Sequence, residues 1–415
     1  MLLSGRFEKK LGSSSMSKLM NRIEMWSAFV LMAATSTVLQ AEFTDEIGRG
    51  GSVFQTSIEL GANYTDNFYY SSNPGHNVFG LVAAPELAYA YILPRFKFVA
   101  SGSAEAAGFN LPGNEDNYLD GTGKVGMEWQ SAERHRFTYG SEVQFAHDPF
   151  GTERTAGSST QNATIDRWRR FGAGANYYYG LPTDLFNLET SLKADHKQYT
   201  SNETITKFLD YSSVLGDVTF LYNHSPKTAF LLDLSGTRTG FDQATSSGLD
   251  STELHSLIGM RWLATAKTNA DIRVGYQSRR PRNSNQQTFN SVNWRADIRW
   301  APVSNRAFTL QTGRSSQESY LVNVFSFLDI RHISMEWAEE WAPRLTTKAA
   351  VAYSQSRFIG FSRVDDDYLA TVGADYKATE YTTLLGNIGY GVRNSNIANL
   401  DYNRLTSYIG IKFTR

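Results

Sequence analysis

From residue 52 onward the chain alternates. Phe54, Thr56, Ile58, Leu60, Ala62 and Tyr64 are interleaved with Gln55, Ser57, Glu59, Gly61 and Asn63. The same period of two runs through 270–276, 292–300 and 368–376, with apolar residues on one parity and Arg, Asp, Gly or Thr on the other. Successive strand side chains point to opposite faces, so each segment carries one apolar and one polar face. No stretch of similar length shows the 3.6-residue period of a helix, and the chain reads as all-β.

The breaks between these runs alternate in length. Short ones fall near 93–95, 130–135, 181–184, 223–227, 265–269, 301–304, 338–344 and 378–381. Long ones, rich in Ser, Asn, Gly, Thr and Asp, fall at 65–77, 110–117, 147–162, 197–207, 239–251, 278–290, 315–323, 355–367 and 394–404. Eight short and nine long breaks separate 18 strands. Tight turns at one end, long loops at the other and an even strand count describe a transmembrane up-and-down antiparallel barrel. Sixteen strands is the alternative count. A two-sheet sandwich would share the alternation of side chains but has no reason to alternate its loop lengths. Trp129, Trp262, Trp300 and Trp337, with Tyr64, Tyr139, Tyr179 and Tyr222, lie at strand ends, as interfacial girdles require. Every proline but Pro85 falls in or beside a break; Pro85 predicts a bulge or kink in the second strand, since it cannot donate to the ladder.

Composition fits this picture. Mean hydropathy is −0.38, as expected where transmembrane strands average an apolar and a polar face. The 40 Lys and Arg against 41 Asp and Glu leave no basic surface for nucleic acid. With no Cys, disulfides, thiolate metal sites and cysteine nucleophiles are excluded. Arg22 followed by the apolar run 25–39 and a small residue, Ala41, predicts a secretory signal peptide, with Leu39 a weak fit at its −3 position. Residues 1–41 are therefore read as upstream residues plus signal, 42–51 as a short periplasmic segment, and 52–415 as one barrel. No separate plug is expected ahead of the first strand.

If the apolar parity faces lipid, the other faces the lumen. On the tenth to twelfth strands it holds Glu253, His255, Arg261, Asp271, Arg273, Arg295, Asp297 and Arg299, expected to line the pore and pair between adjacent strands. Trp168, Tyr178 and Tyr118 share the lumenal parity and are read as packing within the lumen, with stacking on sugars as the alternative. An 18-strand barrel is wide enough for an aqueous channel, and the longest loop, 147–162, is the candidate to fold in and constrict it. No Gly-x-Ser-x-Gly, His-Glu-x-x-His or Ser/His/Asp arrangement is present, so no enzyme, cofactor or metal is expected. Asp365, Asp366 and Asp367, placed in a long loop, lack the spacing and glycine of a calcium loop and are read as a solvated tip.

The opening strand runs Glu59-Leu-Gly-Ala-Asn-Tyr-Thr-Asp-Asn-Phe-Tyr-Tyr70, and Tyr64, Asp66, Asn67 and Phe68 carry a resemblance. It resembles the outer-membrane β-barrel porins found with exopolysaccharide and capsule loci of Gram-negative bacteria. That resemblance implies a barrel spanning the mature chain and a role in polysaccharide export or retention. The terminal strand, 405–413, resembles an outer-membrane assembly signal but runs two residues past its last aromatic, Phe413. The sequence thus points to a cell outer-membrane channel in contact with lipid and passing polar solute or polysaccharide. A second role, a structural barrel anchoring polysaccharide-export machinery, stays open, as does a homo-oligomer.

Overall fold

The computed structural model describes residues 50–73, 77–111, 116–156, 164–265, 267–282, 287–319 and 327–415. The expected signal peptide and most of the 42–51 segment lie outside the described residues. The strands are β1 (Gly51–Thr65), β2 (Val78–Leu93), β3 (Phe96–Phe109), β4 (Tyr118–Ala132), β5 (His135–Asp148) and β6 (Asp166–Tyr179). They continue as β7 (Phe186–Tyr199), β8 (Tyr211–Ser225), β9 (Thr228–Phe241), β10 (Ser251–Thr265), β11 (Thr268–Pro281) and β12 (Phe289–Val303). The circuit ends with β13 (Arg306–Glu318), β14 (Phe327–Ala342), β15 (Leu345–Ile359), β16 (Val364–Lys377), β17 (Thr382–Ser395) and β18 (Tyr402–Thr414).

Each strand pairs antiparallel with its sequence neighbours, and β18 returns to β1, which closes an 18-stranded barrel. Closure satisfies both edges, the condition for a sheet surrounded by lipid. The residues past Phe413 take part: the N–H groups of Thr56 and Arg415 each donate to the other's carbonyl at 2.8 Å. Register slips occur at short turns, between Gln130 and Ala132, Asn223 and Ser225, Trp262 and Thr265, Trp300 and Val303, and Glu340 and Ala342. Pro85 makes neither bulge nor slip. The β2–β3 pairing lapses between Ala83 and Glu86 and resumes in the same register, while the β1 side stays paired through Ile58.

The apolar parity forms the outer wall, where Phe54, Leu81, Ile258, Val274, Val372 and Ile409 are exposed. Trp129, Trp262 and Trp300 stand exposed at the short-turn end, joined by Tyr179 and Tyr222, a ring at the interface where amphipathic side chains are favoured. Buried apolar groups form small clusters instead of one core, three at the loop end and one, Leu221, Ala229 and Leu231, beside the short β8–β9 turn. Val274 sits midway along β11 between Ile258 and Trp294 of the neighbouring strands. Val274→Arg should cost about 2–4 kcal/mol, as a cation at the midplane does, measured by urea unfolding in lipid vesicles. An unchanged midpoint would mean that this parity does not face lipid.

One expected loop is largely absent. The break placed at 355–367 shrinks to the turn 360–363, with Gly360 at a φ of +93°. Asp365, Asp366 and Asp367 belong to β16 rather than to a solvated tip.

Candidate functional site

Alternation along β10, β11 and β12 directs Glu253, His255, Arg261, Asp271, Arg273, Arg295, Asp297 and Arg299 away from the apolar outer parity. Their partners differ from expectation. The β11–β12 register sets Asp271 opposite Asp297 and Arg273 opposite Arg295, like against like. Direct pairing would be repulsive, so the ion pairs run along each strand, two residues apart. Arg273 Nε donates to Asp271 at 2.7 Å, Arg295 Nε to Asp297 at 2.9 Å, and His255 Nε2 lies 2.8 Å from Glu253. Between β10 and β11 opposite charges do meet, with Arg261 Nε donating to Asp271 at 3.2 Å.

These pairs extend into networks with residues outside the expected set. Arg261 also donates to Glu189 of β7 at 2.9 Å, and Arg273 to Asp233 of β9. Arg261, Asp271, Asp297 and Arg299 come together around a cavity of about 290 Å³, with Asn269 and Gln311. Nearer the loop end, Arg279 of β11 donates to Glu318 at 2.6 Å and lies 3.5 Å from Glu253. Ser316 of β13 donates to Glu253. Arg279 shares the parity of Arg273, which is the signal that could have found it. Asp233, between the exposed Leu232 and Leu234, and Glu189, on the opposite parity from the exposed Phe186 and Leu192, carry the same signal. What alternation does not show is that barrel curvature brings β7 toward β10 and β9 toward β11.

The three lumenal aromatics fare unequally. Trp168 is buried, donating to Asp148 at 2.8 Å under the ammonium of Lys197, and Tyr118 is buried against His147. Tyr178 is half-buried with the Arg136 guanidinium 4.2 Å above its ring, leaving it as the ring of the three best placed to meet a solute.

The described start of the β5–β6 loop, residues 149–156, packs over the inner wall. Phe150 is buried with Ala107, Tyr118 and Ile165, and Tyr69 of the β1–β2 loop closes on it edge-on at 5.0 Å. Gly151 has a φ of +82°, and a Cβ there would lie 1.9 Å from the Tyr69 carbonyl oxygen, so only glycine lets the two backbones touch. Arg154 pins the loop to Asp166 through two hydrogen bonds at 2.7 and 2.8 Å. Between these anchors stands Glu153, its φ at +48°. Burial, then the charge of Asp148, push its carboxyl up to about 7, against the pull of Lys197, Arg393 and Arg363.

Arg363 and Arg393 belong to the far side of the barrel. Arg363 donates to Asp365 at 2.6 Å, and Arg393 to Asp367 at 2.8 Å. Asp365 and Asp367 are therefore neutralised by arginines within the barrel, while Asp366 accepts from Tyr353 Oη at 2.7 Å and Gln355 Nε2 at 3.0 Å. At the loop end, a carboxyl carried inward from one wall thus feels two guanidiniums of the other.

Comparison with known proteins places these features in context. The family described as "Putative beta-barrel porin 2" matches residues 47–415. No curated protein matches the chain. Among solved structures, the outer membrane protein OpdK of Pseudomonas aeruginosa is similar at 9% identity and a TM-score of 0.47, covering 88% of this chain and 99% of that one. OccAB3 of Acinetobacter baumannii is similar at 9% identity and a TM-score of 0.45, covering 87% and 99%.

Proposed function

Since the chain belongs to the family described as "Putative beta-barrel porin 2", we propose that it conducts polar solutes through the outer membrane, with a polysaccharide or its oligomers as cargo. What supports this reading is the polar inward parity of β10–β12 together with residues 149–156 of the β5–β6 segment, which pack on Tyr118 and Ile165 and carry Glu153, whose carboxyl feels the charges of Lys197, Arg393 and Arg363. Charges of both signs give a hydrated path that neither small cations nor anions find uniformly repulsive. Tyr178 under Arg136 adds a surface suited to sugar hydroxyls and acidic substituents. The pore-lining role of the eight residues on β10–β12 is part of the same proposal.

The test is single-channel conductance in a planar bilayer, with acidic and neutral oligosaccharides added in turn. Discrete openings blocked by one sugar class support the channel and its cargo. Ion pairs reaching three strands along the wall, Glu189 to Arg261 above all, favour a second reading in which the barrel is a closed anchor for export machinery. A folded, silent barrel would select it.

The channel reading carries a pH signature. Glu153 is charged above pH 7 and neutral below it, while the arginines keep their charge throughout. Acidification from pH 8 to 5.5 therefore removes a negative charge at the constriction and shifts the reversal potential toward anion preference. Glu153→Gln should hold the anion-preferring value at both pH values. A wild-type reversal potential flat across this range would show that Glu153 does not face the ion path.

A further inference from the structure

The outer wall carries a charged feature that conduction does not use. Arg238 of β9, Thr252 of β10 and Arg280 of β11 stand at one level, because Thr252 pairs in register with both arginines. All three are exposed, and their parity is that of Leu234, Leu254, Ile258, Val274 and Tyr276, the lipid-facing set. Two inter-strand spacings separate the arginine Cα atoms, about 10 Å. The side chain of neither arginine makes a hydrogen bond or ion pair with another described residue. The nearby carboxylates are engaged elsewhere: Asp250 accepts from Arg282 at 3.1 Å and from the Phe241 N–H at 2.9 Å, and Glu253 faces inward to Arg279.

Their height on the wall is informative. Thr252 stands along β10 from the girdle residue Trp262 by about 33 Å of strand at roughly 3.3 Å per residue, or about 25 Å along the membrane normal at a tilt near 40°. That is the height of the apolar band, so the guanidiniums sit at its upper edge, with Leu254, Leu234 and Tyr276 below them. Two cations without protein partners, carried about 10 Å apart at a lipid boundary, lose hydration and repel each other through a medium less screening than water. An anion that bridges them relieves both costs, and guanidinium forks match phosphate oxygens in pairs.

We infer that Arg238, Thr252 and Arg280 form a seat for the phosphate of an outer-leaflet glycolipid, with its acyl chains lying against Leu234, Leu254 and Tyr276. The guanidiniums bind phosphate oxygens, and the Thr252 hydroxyl meets the adjoining sugar. The seat rests on the barrel's orientation in the membrane and not on whether its lumen conducts.

The test is native mass spectrometry of the whole barrel, released from detergent with diphosphoryl lipid A, with its dephosphorylated form, or with inorganic phosphate. The diphosphoryl lipid should be retained at least about tenfold better than the dephosphorylated one, as expected for lost hydrogen bonds to charged groups. Equimolar inorganic phosphate should not displace it. Arg238→Gln with Arg280→Gln should lose that preference. Thr252→Glu, which supplies a protein carboxylate between the two arginines, should lose it by a different route while the barrel stays closed. Equal retention of both lipids, displacement by phosphate, or an unchanged preference in folded Thr252→Glu protein would overturn the assignment.

Discussion

Replacing Gly151 by valine is expected to pull the β5–β6 loop off the inner wall. A non-glycine residue at a φ of +82° costs roughly 1–3 kcal/mol in backbone strain alone. The larger obstacle is steric: the new Cβ would fall 1.9 Å from the Tyr69 carbonyl oxygen, which is backbone and cannot rotate away. The loop must retreat, taking Phe150 out of its contacts with Tyr118 and Ile165 and moving Glu153 away from Arg363 and Arg393. Single-channel conductance should then rise several-fold, and the pH-dependent part of the selectivity should vanish with it. A second readout is independent of conduction. Arg154, held against Asp166 in the native loop, should become a rapid tryptic site while the strands stay protected. Native-like protection at Arg154 together with native conductance would show that the loop does not depend on this contact.

Alternation alone reveals which residues share the polar face, and closure at 18 strands follows from counting breaks. What alternation does not contain is the offset between strands. Asp271 and Arg295 look like a cross-strand pair in sequence, yet register sets each opposite its own charge, and the ion pairs turn along the strand instead. The same gap hid the pairing of Arg261 with Glu189, three strands away, and the pull of Arg393 on the Glu153 carboxyl. Such contacts depend on curvature and loop folding, which are properties of the closed barrel. The mistaken loop at 355–367 has another origin. Where the inward face of a strand is wet, its composition becomes that of a loop, so Ser356, Asp365 and Asp367 read as loop residues although Arg363 and Arg393 hold the two carboxylates within the wall. The aromatics show the parity at work: it placed Trp168 and Tyr118 in the lumen, and there hydrogen bonding to Asp148 and packing on Phe150 bury them.

Arg279 is a buried lumenal residue whose loss should weaken the barrel. It is 4% exposed at its side chain, donates to Glu318 at 2.6 Å and to Ser316 at 3.2 Å, and lies 3.5 Å from Glu253. Its guanidinium also stacks 4.6 Å above the Phe327 ring. One cation thereby joins β10, β13 and β14 to β11. Arg279→Met keeps much of the volume but leaves the carboxylates of Glu253 and Glu318 facing each other without it. Breaking a buried pair from one side costs about 3–5 kcal/mol, and water reaching the loop end favours the lower figure. Urea unfolding in detergent should show that loss as a lower midpoint with the slope unchanged. Adding Glu318→Gln should recover part of it, because most of the penalty is an uncompensated charge rather than a missing contact. If the double variant is as unstable as the sum of the two single ones, the pair is not coupled. Arg279 would then hold the wall through its stacking on Phe327.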